Sequence, residues 1–192
     1  DEGEAAVRRG LPLLDAAGPE FAIDVRRARV TLGEAALQRF DTAAAIPDLE
    51  RALAGATGLE RIRPLMGLSR ATMFDGDGVG VRYAEEALRI ASEDSPLARK
   101  QRAVVRTQYA RALLNAGRNQ DAYRELKTGL KEQGGLTLKV NASDIATRSD
   151  LAIAAQLSGD EGAARNYLAY TGAGRMADSP FGRAQQLELP AC

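Results

Sequence analysis

Residues 106–130 read RTQYARALLNAGRNQDAYRELKTGL, and their apolar residues recur at the i, i+3, i+4 and i+7 spacing of one helix face. The recurrence is interrupted at Gly117. Glycine often ends a helix because it adopts the left-handed conformation without strain, and Asn119 is a typical residue to begin the next helix. The stretch therefore predicts two amphipathic helices joined by a short turn.

The same pattern occurs in three other stretches, which are residues 29–53 (RVTLGEAALQRFDTAAAIPDLERAL), 65–88 (LMGLSRATMFDGDGVGVRYAEEAL) and 148–172 (RSDLAIAAQLSGDEGAARNYLAYTG). In all four stretches the first helix carries a large residue followed by a small one, namely Leu32 and Gly33, Leu68 and Ser69, Tyr109 and Ala110, and Leu151 and Ala152. The second helix carries packing positions of alternating size, namely Ala45, Leu49 and Ala52; Gly80, Ala84 and Ala87; Ala122, Leu126 and Gly129; and Ala164, Leu168 and Thr171. Small residues let neighbouring helices approach closely and large ones fill the remaining gap, so this pattern predicts a helix-turn-helix repeat.

Over the whole chain the periodicity predicts helices at about 4–16, 20–38, 42–54, 59–74, 79–92, 96–116, 120–132, 143–158 and 161–171. Predicted N-caps are Ser95, Asn119, Ser143 and Asp160, and predicted helix stops are Gly117, Gly159 and Gly172. We expect Pro12 to bend or shorten the first helix, because proline removes one backbone donor.

The four stretches resemble the tetratricopeptide repeat (TPR) family, in which helix-turn-helix units of about 34 residues stack into a superhelix. The resemblance covers about residues 26–172, and in its best unit the family's packing positions fall on Tyr109, Ala110, Leu113, Gly117, Ala122 and Leu126. It implies an all-α fold, a right-handed TPR-like solenoid of about four repeats. The chain departs from the family pattern in three ways: most units lack the closing proline, no unit has the Trp, and the spacing between units exceeds 34 residues. The alternative is a non-repeating helical bundle.

The ends of such an array need covering, since terminal repeats expose apolar faces. We therefore expect residues 1–178 to form the TPR-like domain, with a first helix that covers one end through Val7, Leu11 and Leu14. Residues 179–192 are expected to form a C-terminal capping helix and linker, with Phe181, Leu187 and Leu189 as the covering residues.

The resemblance also implies a function, because the first helices of TPR units line a concave groove that holds a peptide or protein. The groove positions carried over are Met66, Arg70, Met73, Thr107, Gln108, Arg111, Leu114 and Asn115, with Val30, Thr31 and Glu34 in the first unit and Ser149, Asp150 and Ile153 in the fourth. Arg70 and Arg111 hold equivalent positions and suit an anionic group on a partner. The family's carboxylate clamp of Lys and Asn is not reproduced. The alternative is that both arginines pair with Glu34 or other acids.

Composition argues against most chemistry. The 192 residues include no His and no Trp, and the single Cys is Cys192, so the commonest general base and metal ligands are missing. We expect no enzyme activity, no cofactor and no metal. The 26 basic and 26 acidic residues balance, which disfavours nucleic acid as a partner.

A calcium loop is an alternative for residues 75–86, where Asp75, Asp77 and Glu86 partly match EF-hand spacing. Val79 stands at the fifth position of that loop and offers no side-chain ligand, and Gly and Asp are ordinary turn residues.

The context of the chain is read from its ends. No apolar run approaches the roughly 20 residues of a membrane span, so no membrane insertion is expected. Both termini look like boundaries, as expected of a piece of a longer protein or of a mature chain whose leader has been removed. The ending LELPAC after such an array resembles exported alphaproteobacterial proteins with a TonB-type C-terminal domain, which implies a bacterial, periplasmic scaffold or sensor arm and a disulfide partner for Cys192 elsewhere. A cytoplasmic adaptor is the alternative. The alternative function is therefore structural, by self-association or by packing on the remainder of the same chain.

Overall fold

The computed structural model describes residues 2–75, 78–93, 95–132 and 142–172. These residues are all-helical. They form α1 (Glu2–Ala17), α2 (Ala22–Gln38), α3 (Thr42–Ala54), α4 (Ile62–Ala71), α5 (Val79–Ala91), α6 (Pro96–Asn115), α7 (Asn119–Glu132), α8 (Ala142–Leu157) and α9 (Glu161–Gly172), with short 3-10 segments at Pro19–Phe21 and Gly58–Arg61. Each predicted helix is present, which confirms the all-α fold class.

The predicted boundaries need two corrections. The segments predicted to begin at 20 and 59 each start as a 3-10 turn, so that α2 begins at Ala22 and α4 is confined to Ile62–Ala71. Pro12 does not shorten α1, which continues to Ala17. Proline has no backbone N–H, so the carbonyl four residues earlier has no donor in the helix. Pro12 is exposed, and this carbonyl can therefore accept a hydrogen bond from water.

The helix ends follow local capping chemistry. Ser95 Oγ accepts from the Ala98 amide at 3.0 Å and Asp160 Oδ1 from the Ala163 amide at 3.1 Å, which confirms two predicted caps. Gly117 and Gly159 adopt φ values of 73° and 83°, as expected of helix stops. Asn119 is not a cap: it is the first residue of α7, and its side-chain Oδ1 accepts no hydrogen bond from the described residues, while its Nδ2 donates to the Leu157 carbonyl at 3.4 Å. The Ser143 side chain lies outside the described residues.

The chain divides into two compact units, residues 1–116 and 117–192. In the first unit each helix from α1 to α6 packs against the next, and α2 also contacts α4 while α4 contacts α6. In the second unit α7 packs against α8, and α8 against α9. Val7, Leu11 and Leu14 are half-buried on α1, which packs against α2. The predicted boundary at 178 and the predicted cap with Phe181, Leu187 and Leu189 lie outside the described residues.

Charged side chains tie α1 to its neighbours. Glu4 accepts hydrogen bonds from Arg39, at the end of α2, and from Arg8 on its own helix. Hydrogen bonds from these guanidinium groups lower the pKa of the Glu4 carboxyl below its usual value, and the bond from Arg39 contributes more than the bond from Arg8. Arg29 on α2 contacts Asp15 Oδ2 of α1 at 3.2 Å and Asp48 Oδ1 of α3 at 3.4 Å.

The predicted packing positions form the core, and this explains how closely the helices approach. The large and small pairs of the four first helices are all buried, and so are the described second-helix positions except Leu168, which is 39% exposed. A Cβ at Gly33 would lie 2.6 Å from Leu49 Cγ, and one at Gly80 would lie 2.9 Å from the Ser69 carbonyl oxygen. Leu168 was predicted to be buried, but it lies on α9, the last described helix, whose main packing is against α8.

Candidate functional site

Helix α4 exposes one narrow stripe to solvent. Arg63, Met66 and Arg70 are accessible, at i, i+3 and i+7, and Met73 continues the series in the following turn. Every other residue of α4 is buried against neighbouring helices. Three of the predicted groove residues, Met66, Arg70 and Met73, therefore lie on the part of α4 that a ligand can reach.

The neighbouring helices α2 and α6 extend this stripe into a surface, because both pack against α4. We define the α2–α4–α6 face by its accessible residues: Ile23, Arg27, Thr31 and Glu34 from α2; Arg63, Met66, Arg70 and Met73 from α4 and its turn; and Leu97, Gln101, Val104, Thr107, Arg111, Leu114 and Asn115 from α6. The entire face belongs to the first compact unit.

Side-chain contacts join the helices of the α2–α4–α6 face. Arg63 Nη2 donates to Glu34 Oε2 at 2.6 Å and joins α4 to α2. Asn115 Nδ2 lies 3.5 Å from Met73 Sδ and joins α6 to the end of α4. The structure thus brings predicted groove residues of successive units together at Met73 and Asn115.

The predicted groove residues differ in how much surface they offer. Arg70 and Asn115 are exposed, and Met66, Met73, Thr107, Arg111 and Leu114 are half-buried. The Thr107 hydroxyl donates to the Ala103 carbonyl oxygen at 3.0 Å, so its hydrogen-bonding capacity is partly used within α6.

Gln108 is the exception, at 6% exposure. It lies one turn after Val105 and one turn before Ala112, both buried, so it belongs to the packed edge of α6 rather than to its open side. Its buried Nε2 has no hydrogen-bond partner among the described residues. Seven of the eight predicted positions, all except Gln108, therefore contribute substantial accessible surface.

The arginines of the face are not equivalent electrostatically. The carboxylate of Glu34, suggested by the sequence as a partner for Arg70 or Arg111, is bonded to Arg63 instead. Within the ranges that the structure describes, the side chain of Arg70 makes no ion pair or hydrogen bond. Arg111 is half-buried, and its backbone carbonyl accepts from Asn115 Nδ2 at 2.9 Å. Arg70 is therefore the side chain most available to an anionic ligand.

A cavity of about 250 Å³ opens at the end of this face where α2, α4 and α6 begin. Arg27, Arg63, Leu97 and Gln101 of the face line it. Sequence reasoning did not identify this cavity. Helical spacing in the sequence could have indicated it. On α4 the spacing of the predicted groove residues continues from Met66 back to Arg63, and on α6 the same spacing leads from Val104 back to Gln101 and Leu97.

The other first-helix positions are engaged in other ways. Val30 is buried, and the Thr31 hydroxyl donates to the Arg27 carbonyl oxygen at 3.0 Å. In the second unit the Ser149 hydroxyl donates to the Ile145 carbonyl oxygen at 3.0 Å, whereas Ile153 is exposed.

The calcium alternative gains no support from the described residues. Glu86, its twelfth position, accepts from Arg61 Nη2 at 2.7 Å, which occupies one carboxylate oxygen. Gly76 and Asp77 lie outside the described residues, and the remainder of the described chain contains no cluster of three metal-ligating side chains.

Two tyrosines are packed in the core. Tyr109, a predicted packing position, is buried, and so is Tyr123. The Tyr123 hydroxyl donates to Asp160 Oδ2 at 3.3 Å, and Lys127 Nζ lies 4.1 Å from the centre of its ring. Burial first, and then the neighbouring Tyr167 and Asp160, raise the pKa of Tyr123 to about 12. An anionic Tyr123 is thus disfavoured, which suits a structural hydrogen bond.

Comparison with protein-family models, curated proteins and solved structures gives no match. The site must therefore be interpreted from its own geometry. Among the described helices, none combines the length and apolar character required to cross a bilayer.

Proposed function

We propose that this protein is a non-catalytic module that binds a peptide or protein segment on its α2–α4–α6 face. The observation that carries the proposal is the accessible stripe of α4, on which Met66, Arg70 and Met73 are presented by a helix otherwise buried on all sides. A rigid, packed helix that offers arginine and methionine to solvent suits recognition, since arginine binds carboxylates directionally and methionine adapts to varied apolar shapes.

We propose further that the helices form a TPR-like right-handed solenoid. Contacts between α2 and α4 and between α4 and α6 support it, because stacked helix pairs place each first helix beside the next. The close contacts of Gly33 and Gly80 within their own helix pairs support it as well, because both occupy small-residue positions of the repeat. In such an array the first helices line the surface that binds the ligand.

Arg70 is the proposed anchor for an anionic group, with Arg111 as a second cation on the same face. Charge-assisted hydrogen bonds contribute about 1.5–3 kcal/mol each, which corresponds to a change of roughly tenfold or more in affinity. Met66, Met73 and Leu114 provide the apolar surface beside these arginines. We therefore expect the ligand to carry both acidic and apolar residues.

Peptide display on the purified protein tests this function. Peptides selected by the native protein are remeasured against an Arg70→Glu variant and against Arg51→Glu, a matched charge reversal on the exposed surface of α3. We expect acidic peptides whose affinity falls about tenfold or more in Arg70→Glu and hardly changes in Arg51→Glu. Equal binding to all three proteins would place the ligand elsewhere, and a failure to select any peptide would contradict the proposal.

A second candidate function is self-association or packing on further parts of the same chain. It is favoured by apolar residues that the second unit exposes, namely Ile153 and Leu157 one turn apart on α8, and Leu168 on α9. Exposed apolar surface of this kind is typical of protein contacts. Sedimentation over a concentration series tests self-association: a mass that rises with concentration and returns to the monomer value in Ile153→Ser, Leu157→Ser supports it. A constant monomer mass contradicts self-association, and it does not test packing on further parts of the same chain.

A further inference from the structure

The cavity at the N-terminal end of the α2–α4–α6 face is large enough for a ligand side chain. Its volume is about 250 Å³, whereas apolar cavities of about 150 Å³ already hold a benzene ring. It is lined by α2, by the end of α3 and the segment that follows it, and by the beginnings of α4 and α6. Packed helices fix most of its wall, so it is largely preformed.

The wall of the cavity is mostly apolar. Val30, Ala52 and Ala56 are buried in it, and Leu59 and Pro64 complete its inner surface. At the opening, Leu97 is 56% exposed, and Ile23 is exposed as well. Water in such a space finds few hydrogen-bond partners, so an apolar group that displaces it is favoured.

The charged side chains around the cavity are predominantly basic. Arg26, Arg27 and Arg63 line it together with one carboxylate, that of Glu60. Arg26 Nη2 donates to Glu60 Oε2 at 2.8 Å, while its buried Nε has no partner in the described part of the chain. One donor of this guanidinium is thus unused beside the apolar wall.

The other two arginines pair with carboxylates outside the lining but remain accessible. Arg27 lies 3.7 Å from Asp24 Oδ1, with both side chains largely exposed, and the side chain of Arg63 is 62% exposed although it pairs with Glu34. Exposed ion pairs contribute little and exchange readily, so both guanidinium groups can turn to a ligand carboxylate. The lining itself carries three guanidinium groups and one carboxylate, so an acidic ligand that displaces Asp24 or Glu34 can pair with Arg27 or Arg63.

We propose that this cavity is a specificity pocket that holds one large apolar side chain of a bound peptide, with an acidic residue next to it in contact with Arg26, Arg27 or Arg63. The inference rests on the proposed function and names the chemistry of its ligand. The peptide lies along the α2–α4–α6 face, so that the pocket and Arg70 bind different residues of the peptide. A Phe-Glu or Leu-Glu pair has the required character.

Methyl NMR of the full chain tests the pocket with defined probes. Short Gly-Ser peptides carry a central Phe-Glu, Phe-Lys or Ser-Glu pair, and the methyl resonances of Ile23, Leu59 and Leu97 are followed. We expect the Phe-Glu peptide to shift these resonances, because an aromatic ring in the pocket changes their magnetic environment. The Phe-Lys and Ser-Glu peptides should bind about tenfold more weakly or not at all, since each lacks one of the two interactions.

Matched variants identify the contacts. Leu97→Ser and Arg63→Gln should each weaken the Phe-Glu peptide severalfold, whereas Leu13→Ser on α1 and Arg51→Gln on α3 should leave its affinity unchanged. Both positions changed in the pocket are exposed, and circular dichroism verifies that the fold is retained. Equal affinity for Phe-Glu and Phe-Lys would overturn the charge requirement. An affinity insensitive to Leu97→Ser and Arg63→Gln would overturn the pocket itself.

The failure of this inference is distinguishable from failure of the proposed function. If peptides chosen by display bind in a manner that depends on Arg70 but cause no change at Ile23, Leu59 or Leu97, the pocket proposal is wrong and the face proposal stands. If neither displayed nor designed peptides bind, both proposals are wrong.

Discussion

Replacing Gly33 by alanine probes how closely α2 and α3 approach. A Cβ at Gly33 would lie 2.6 Å from Leu49 Cγ, 2.9 Å from Leu49 Cδ2 and 3.3 Å from the Ala45 carbonyl oxygen. Leu49 is fully buried, and on its other side a Cβ at Gly67 of α4 would come within 2.8 Å of it. Leu49 is therefore confined between two glycines and has little room to move away from the new methyl group.

The magnitude follows from two opposing contributions. Alanine stabilises a helix interior by about 1 kcal/mol relative to glycine, whereas forcing an extra methyl into a packed core costs about 1–3 kcal/mol. The expected net effect of Gly33→Ala is a loss of up to about 2 kcal/mol of unfolding free energy. In a Leu49→Ala background the obstacle is gone, so the same substitution should stabilise by about 1–2 kcal/mol through propensity and burial of the methyl group.

Urea denaturation followed by far-UV circular dichroism measures these effects, with Gly10→Ala as the control. Gly10 lies in α1, and a Cβ added there would have no neighbouring atom within 4 Å, so alanine should stabilise by about 1 kcal/mol. Because the chain has two compact units, hydrogen exchange at the α2 and α3 amides assigns the change to the first unit. The reasoning is refuted if Gly33→Ala stabilises as much as Gly10→Ala, or if its effect is the same with leucine and alanine at position 49.

Three further outcomes are expected from urea denaturation and thermal melts. Phe40 adopts φ 60° and is 92% exposed, so Phe40→Gly should relieve left-handed strain and stabilise by up to about 1 kcal/mol, and a loss of stability would contradict this. Ser95→Ala removes the cap of α6 and should cost about 1 kcal/mol, whereas Ser95→Asp should retain most of it; equal losses would exclude capping as the cause. The pKa of Tyr123 is raised from 10.0 to about 12, so its contribution to stability is complete below pH 10 and lost as pH rises toward 12. Subtracting the Tyr123→Phe curve from the native curve isolates this decline, and parallel curves would show that Tyr123 does not cause it.

Local chemistry determined the helices and their packing positions. The spacing of apolar residues located each described helix, because that spacing is a property of consecutive residues. Ser95, Asp160, Gly117 and Gly159 were identified as helix ends for the same reason, since caps and stops act within a few residues. Asn119 was misassigned: α7 begins at this residue and its side-chain oxygen accepts no hydrogen bond from the described residues, while its side-chain nitrogen bonds the Leu157 carbonyl, which is distant in sequence.

Burial across helices could not be derived from one helix alone. Gln108 lies at helical spacing from the predicted groove residues of α6, so the sequence placed it in the groove. It is buried because the edge of α6 on which it lies packs against neighbouring helices. Leu168 has the size of a core residue, but its exposure depends on which helices lie beside α9.

The pairing of charges also required the tertiary structure. From the sequence, Glu34 was a candidate ion-pair partner of Arg70 and Arg111. In the structure the packing of α2 against α4 places Glu34 next to Arg63 instead. The cavity exists only because segments from four helical regions meet with their small and apolar residues at one point. Periodicity is encoded in neighbouring residues, but which side chains meet across helices is decided by the docking of whole elements. The sequence alone therefore determined the helices and the residues that pack them, and the tertiary structure decided where a ligand can enter.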